Sequence, residues 1–164
     1  MRNAKGNDEA DGRLDLDSFI PYRLSILQQE VSRTIAGIYA EKYDLMRHDW
    51  RIMAVLGFGE PLSANGVAER TNMDKVQVSR ALARLKKRKL VAQQQDRDDK
   101  RRSSLRLTVK GRDIYREIVP LARAREAELL ACLSAAELEQ LDRSIGKLYR
   151  RAQELLGRAG QRRG

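Results

Sequence analysis

The chain has 164 residues with 33 Lys and Arg against 23 Asp and Glu, a net charge of +10, long enough for one domain with a core but short for two independent ones. Such an excess points to a polyanionic partner, nucleic acid before an anionic membrane surface. At 41% hydrophobic residues with three prolines the composition is that of a folding chain. No run approaches the roughly 20 apolar residues of a membrane span, and the polar N-terminus MRNAKGNDEADGRLDLD has no hydrophobic stretch behind its positive charges. A lone Cys132 and a lone His48 can make neither an internal disulfide nor an ordinary zinc site. A cytoplasmic protein without metal or cofactor, and with no membrane partner, is expected.

Residues 1–17 lack periodicity and read as a disordered arm. From Ser18 the apolar residues Ile20, Leu24, Leu27, Val31, Ile35 and Ile38 recur three and four apart, which predicts a long helix with one apolar stripe. A second helix is predicted from Arg47 to about Leu56, with Trp50, Met53, Ala54 and Leu56 inward and a closing turn at Gly57–Gly59 before Pro61. Ser63 is a candidate N-cap for a short helix to Arg70 that buries Val67 and Ala68. After the turn Thr71–Asn72–Met73, Asp74 and Gln77 fit a capping box for a helix to about Lys89. Two helices joined by so short a turn give the helix-turn-helix outline.

Leu90–Gln93 and Ser103–Leu107 read as two strands around the charged tip DRDDKRR, a two-stranded wing. Thr108 caps a further helix carrying Ile114, Ile118, Leu121, Ala124 and Leu129, which Pro120 is expected to bend. Ser134 and Glu137 form another capping box, and Leu138, Leu141, Ile145, Leu148, Ala152 and Leu155 continue at coiled-coil spacing to about Leu156, before a fraying tail.

The positive charge is concentrated. Between Arg70 and Arg112 fifteen Lys and Arg stand against four Asp, whereas the remainder carries 18 positive and 19 negative residues. A solvated helix face would mix the signs; a phosphate-binding surface would not. Projected at 100° per residue, Val78, Ala81, Leu82 and Leu85 face the core, with Gln77, Arg80, Arg84, Lys87 and Arg88 opposite. Arg can pair with guanine and Gln with adenine in a major groove, so Lys75, Gln77, Ser79, Arg80 and Arg84 are the candidate base and phosphate contacts. At the hairpin tip an Arg can enter a minor groove; Asp99 stands two residues before Arg101 and could orient it. Arg97, Lys100 and Arg102 are placed for phosphates.

The segments MDKVQVSRALARLKKRKLV and DRDDKRRSSLRLTVKG resemble the recognition helix and wing signature (Asp and Arg, then Leu-x-Leu-Thr-x-x-Gly) of the MarR family, the multiple antibiotic resistance regulators. The order of helices matches too, so the resemblance covers about residues 18–156. It implies a mainly α fold with a small two-stranded wing: a winged helix-turn-helix region at 47–107, an N-terminal dimerisation helix at 18–46, C-terminal dimerisation helices at 108–157 and a basic tail at 158–164. The implied assembly is a homodimer on double-stranded DNA with a pseudo-palindromic operator, half-sites about 34 Å apart. The family's wing Arg falls on Arg101 and its Asp partner on Asp99; Asp98 departs from the Arg of many members.

FIPYRLSILQQEVSRTIAGIY and HDWRIMAVLG are similar to repressors of aromatic-compound catabolism, which implies an effector such as a small aromatic acid or an aromatic acyl-CoA thioester. Tyr22, Arg23, His48, Trp50, Arg51 and Tyr115 are the residues that could line its crevice, arginine for a carboxylate and aromatic rings for stacking; all six can equally be core or surface residues. Cys132, in the apolar run Leu129–Leu133, reads as a buried, inert thiol rather than a redox sensor. No Gly-rich phosphate loop and no nucleophile with a base at motif spacing points to catalysis. The alternative to a ligand-responsive repressor is an architectural DNA binder indifferent to sequence and effector.

Overall fold

The computed structural model describes residues 13–59, 61–95 and 103–161. They form α1 (Ile20–Tyr43), α2 (Arg47–Phe58), α3 (Ala64–Thr71), α4 (Lys75–Lys87), β1 (Val91–Gln95), β2 (Ser103–Leu107), α5 (Val109–Leu130) and α6 (Ala135–Gln161), the helical architecture with a two-stranded wing that the sequence predicts. Two compact units divide inside α5, between Ala122 and Arg123.

The first unit owns the core. Tyr39 and Tyr43 from α1, Ile52, Met53 and Leu56 from α2, Val67 from α3, and Val78, Ala81, Leu82 and Leu85 from α4 are buried together with Leu90, Val91, Leu105, Leu107 and Ile118. Ile114, Tyr115 and Ile118 bring the first half of α5 into this cluster, and that helix runs on through Pro120. Gly57 stays helical instead of opening a turn: the Tyr115 ring occupies the space a side chain would take, and an added Cβ would lie 2.6 Å from a ring carbon.

Ser63 and Asp74 cap α3 and α4 as expected, their side-chain oxygens accepting from the backbone N–H of Gly66 and Gln77 at 3.1 and 2.7 Å. Between the two helices Asn72 takes the left-handed conformation, φ 51°, which Asn tolerates better than most residues.

β1 and β2 pair antiparallel with Val91 opposite Leu107 and Gln95 opposite Ser103. Leu62 adds an isolated bridge on the far side of Leu105, exchanging backbone hydrogen bonds of 3.2 and 2.8 Å. The Leu-Thr-x-x-Gly run has a mechanical reason. Thr108 Oγ1 accepts from the Gly111 N–H at 3.0 Å and donates to the Lys89 carbonyl at 2.7 Å, so one hydroxyl caps α5 and ties it to the end of α4. A Cβ on Gly111 would sit 2.1 Å from the Leu90 carbonyl oxygen, and only glycine permits that approach.

In the second unit the Ser134–Glu137 capping box is formed: the Ser134 N–H donates to Glu137 Oε2 at 2.8 Å and the Glu137 N–H donates to Ser134 Oγ at 3.4 Å. α6 then continues to Gln161, past the expected fraying point: no proline follows Leu156, and Arg, Ala and Gln are good helix formers. Cys132 is exposed in the turn before α6, not buried as expected: the leucines around it belong to no buried core cluster among the described residues. No helix among the described residues is long and apolar enough to cross a membrane.

Candidate nucleic-acid interface

Helix α4 presents its charged face by elimination. With Val78, Ala81, Leu82 and Leu85 inside, the side chains of Lys75, Val76, Ser79, Arg80, Ala83, Lys86 and Lys87 stand outside. Lys75, Arg80 and Lys87 form no ion pair among the described residues, whereas Lys86 donates to Gln93 Oε1 on β1. Gln93 in turn donates to Ser103 Oγ at 2.8 Å, so the wing is fastened to the helix beside its exposed face. A shallow groove between α3 and α4 runs past Asn65, Lys75, Ser79 and Lys86. The result is a cationic helix face, anchored from behind, on which Lys75, Arg80 and Lys87 have no ion-pair partner among the described residues.

Two arginines expected on that face are elsewhere. Arg84 turns to α2 and meets Asp49, its Nη2 donating to Oδ1 at 2.7 Å and its Nε lying 3.2 Å from the same oxygen. The Asp49 side chain is 3% exposed, and its Oδ2 also accepts the Met46 N–H at 3.1 Å. Arg88 donates to the carbonyls of Tyr43, at 2.6 Å, and Asp44, closing the C-terminal end of α1 with the cation that such an end favours. Gln77 is half-buried on the same flank. The projection errs because the flank between core and solvent holds a buried partner: Asp49 stands within the inward stripe of Ile52, Met53 and Leu56. An acidic residue at that position of an apolar stripe is the one signal in the sequence that could have found an arginine from another element. The wing-tip candidates Arg97, Asp99, Lys100 and Arg101 lie outside the described residues.

The crevice candidates separate into two places. Trp50 lies between Tyr39 and Tyr115, with ring centroids 5.8 and 6.0 Å away and planes 27° and 28° apart. Tyr22 and Arg23 are exposed on the first turn of α1, about 25 Å along the axis from Tyr39. One chain therefore cannot bring all six residues around one ligand. His48 and Arg51 are half-buried next to the aromatic column. Partial burial, then the charges of Arg47, Arg51 and Arg84, hold the His48 imidazole below its ordinary pKa. Burial raises the Tyr39 phenol. Neither Arg47 nor Arg51 has an ion-pair partner among the described residues, so the corner retains uncompensated positive charge beside an aromatic stack.

A second contact set fixes the same corner to α5. The Tyr43 hydroxyl donates to Glu117 Oε2 at 2.8 Å and Lys42 Nζ reaches that oxygen at 3.0 Å; the Tyr43 hydrogen bond, then Lys42, lower the Glu117 pKa. Residues 42–49 thus receive Arg84 and Arg88 from α4 and Glu117 from α5. Among the described residues no group of three His, Cys, Asp or Glu side chains is arranged to hold a metal ion.

Comparison with known proteins gives a consistent picture. Residues 43–102 match the model of the MarR family. The transcriptional regulator HosA of Escherichia coli O157:H7 is 28% identical over 122 residues, which is 74% of this chain and 90% of HosA. Among solved structures, a MarR/EmrR family transcriptional regulator from Acinetobacter sp. ADP1 aligns over 86% of this chain and 99% of its own at 25% identity, TM-score 0.79. Bordetella bronchiseptica BpsR, whose structure concerns regulation of DNA binding by 6-hydroxynicotinic acid, shares the fold over 84% of this chain and 98% of its own at 23% identity, TM-score 0.75. Over these spans the chain is similar to MarR-family proteins.

Proposed function

We propose, on the premise of a MarR-family winged helix, that the chain is a sequence-specific DNA-binding transcriptional regulator, a homodimeric repressor that a small aromatic acid or its CoA thioester releases from a pseudo-palindromic operator. The observation that carries the DNA-reading part is the face of α4. Lys75, Ser79 and Arg80 are exposed on a helix whose opposite side is buried, and Lys75 and Arg80 form no ion pair among the described residues. A helix held in this way can enter a major groove, with Arg80 on a guanine edge and Lys75 on phosphate. The role is that of a non-enzymatic binder in the cytoplasm.

The homodimer reading rests on apolar surface that stays exposed among the described residues. Ile20, Leu24 and Leu27 on α1 are 52%, 46% and 56% exposed, and Ile145, Leu148 and Leu155 on α6 are 56%, 52% and 51% exposed. Stripes of this kind call for a second copy. The effector reading rests on the corner where Arg47 and Arg51 flank Trp50. A carboxylate could pair with an arginine there while an aromatic ring displaces or extends the Tyr39–Trp50–Tyr115 column. That corner also holds Asp49 and the carbonyls that receive Arg84 and Arg88, so a ligand at Trp50 would act one residue away from an anchor of α4. BpsR, a fold neighbour, offers the parallel of an aromatic acid that regulates DNA binding.

The test is a gel shift on the DNA upstream of the protein's own gene, titrated with a panel of hydroxylated aromatic acids and their CoA esters. Salt-sensitive, sequence-selective binding that one member of the panel reverses is expected. Equal affinity for every duplex with no response to the panel would leave an architectural binder instead.

A further inference from the structure

Val76, in the first turn of α4, has an exposure that packing does not explain. The other apolar residues of α4 larger than alanine, Val78, Leu82 and Leu85, are buried, whereas Val76 is 59% exposed. At 100° per residue it falls on one stripe with Arg80, Ala83 and Lys87, all of them exposed. Lys75 and Ser79 border this stripe, and Arg84 and Arg88 are drawn away to the 42–49 corner. What remains for a polyanion is therefore narrow: cations and a hydroxyl around one apolar, β-branched side chain. Valine is a poorer helix former than Lys, Arg, Glu or Gln, and at this position it stands outside the core cluster with most of its surface exposed. Neither local propensity nor the core accounts for it.

The major groove contains one apolar feature, the C5-methyl group of thymine, and small apolar side chains discriminate that base by contact with it. N-terminal residues of a recognition helix are the ones that reach base edges. We propose that Val76 is a specificity-determining residue that packs on a thymine methyl close to the guanine read by Arg80. Four residues rise about 6 Å along a helix and successive bases about 3.4 Å, so the thymine lies within about two base pairs of that guanine. The inference rests on the DNA-reading function proposed above and adds a base that charge alone does not specify.

The test begins with selection of the full-length protein's preferred duplex from a random-sequence library. Each thymine of that duplex is then replaced singly by deoxyuridine, which removes the methyl and leaves every hydrogen-bonding group in place. For the wild-type protein one thymine per half-site should show binding weakened about threefold to tenfold, the scale of one or two buried methyl groups. Val76→Ala should bind the parent duplex more weakly and be indifferent to the same replacement. Val76→Thr, which keeps one branch methyl, should retain part of the sensitivity, and unchanged thermal unfolding of both variants shows that they fold. A wild-type protein that binds selectively yet tolerates deoxyuridine everywhere, or a Val76→Ala variant as sensitive as wild type, overturns the proposal while leaving DNA reading intact. A selection that enriches no sequence overturns DNA reading itself.

Discussion

The two halves of α1 are built from the same kinds of side chain and meet opposite fates. Toward its C-terminal end Tyr39 and Tyr43 are 2% and 8% exposed, sealed against α2 and α5, whereas Ile20, Leu24 and Leu27 toward its start stay near half exposed. Helix α6 resembles that first half: its apolar residues keep heptad-like spacing, yet none of its residues with described burial is buried. Periodicity marks which face of a helix needs covering; it does not say whether the cover comes from the same chain. Here the apolar face at the C-terminal end of α1 is covered within the chain, whereas the stripes at its start and along α6 stay exposed among the described residues.

That contrast can be broken most severely at α6. Ile145→Glu with Leu148→Glu should convert a dimer to a monomer in sedimentation measurements and weaken operator binding about 100-fold or more, because one reader would then act without its tethered twin. A variant that sediments as wild type would remove the stripe from the interface.

The next effect in size separates the two arginines of α4. Arg84→Ala leaves the Asp49 carboxylate, 3% exposed, without its cation. Such losses cost about 3–5 kcal/mol when both groups are buried; with the Arg84 side chain 35% exposed, about 2 kcal/mol is the expected loss of unfolding stability by urea titration. Arg80→Ala should change stability by no more than about 0.5 kcal/mol while lowering discrimination among duplexes. Equal destabilisation by the two would deny that one anchors the helix and the other is free to read.

The smallest effect is a pH dependence. Because His48 sits below its ordinary 6.5 in the folded chain, the unfolded chain takes up a proton first as pH falls through 6.5, and stability decreases there. Glu117 and Glu137, both lowered from 4.5, contribute in the same direction but only below that pH. His48→Gln should therefore flatten the stability profile between about pH 7 and 5 and leave the acid limb unchanged, as thermal unfolding across that range would reveal.

Much of this was legible in the sequence because it is local. Asp74 with Gln77, Ser134 with Glu137 and Thr108 with Gly111 act across three residues, and β2 falls where the alternation of Leu105 and Leu107 puts it. The pairs that were not legible join distant segments: Asp49 with Arg84, Tyr43 with Glu117, Tyr39 with Trp50 and Tyr115. An arginine at the edge of an exposed face reads the same whether it meets solvent or a carboxylate 35 residues away. For the same reason Tyr22 and Trp50 could be imagined around one ligand until the length of α1 separated them, and Cys132 could be imagined buried although no core cluster surrounds it among the described residues.

The central claim is that the exposed face of α4 reads base sequence rather than charge alone. It is tested most directly by the affinity of wild type and Arg80→Ala for a selected duplex and a scrambled one across a range of salt. We expect wild type to prefer the selected duplex by about 1,000-fold or more, and Arg80→Ala to lose about 10-fold or more of that preference while scrambled DNA is bound much as before. Wild-type affinities that coincide for the two duplexes and fall in parallel with salt would contradict it.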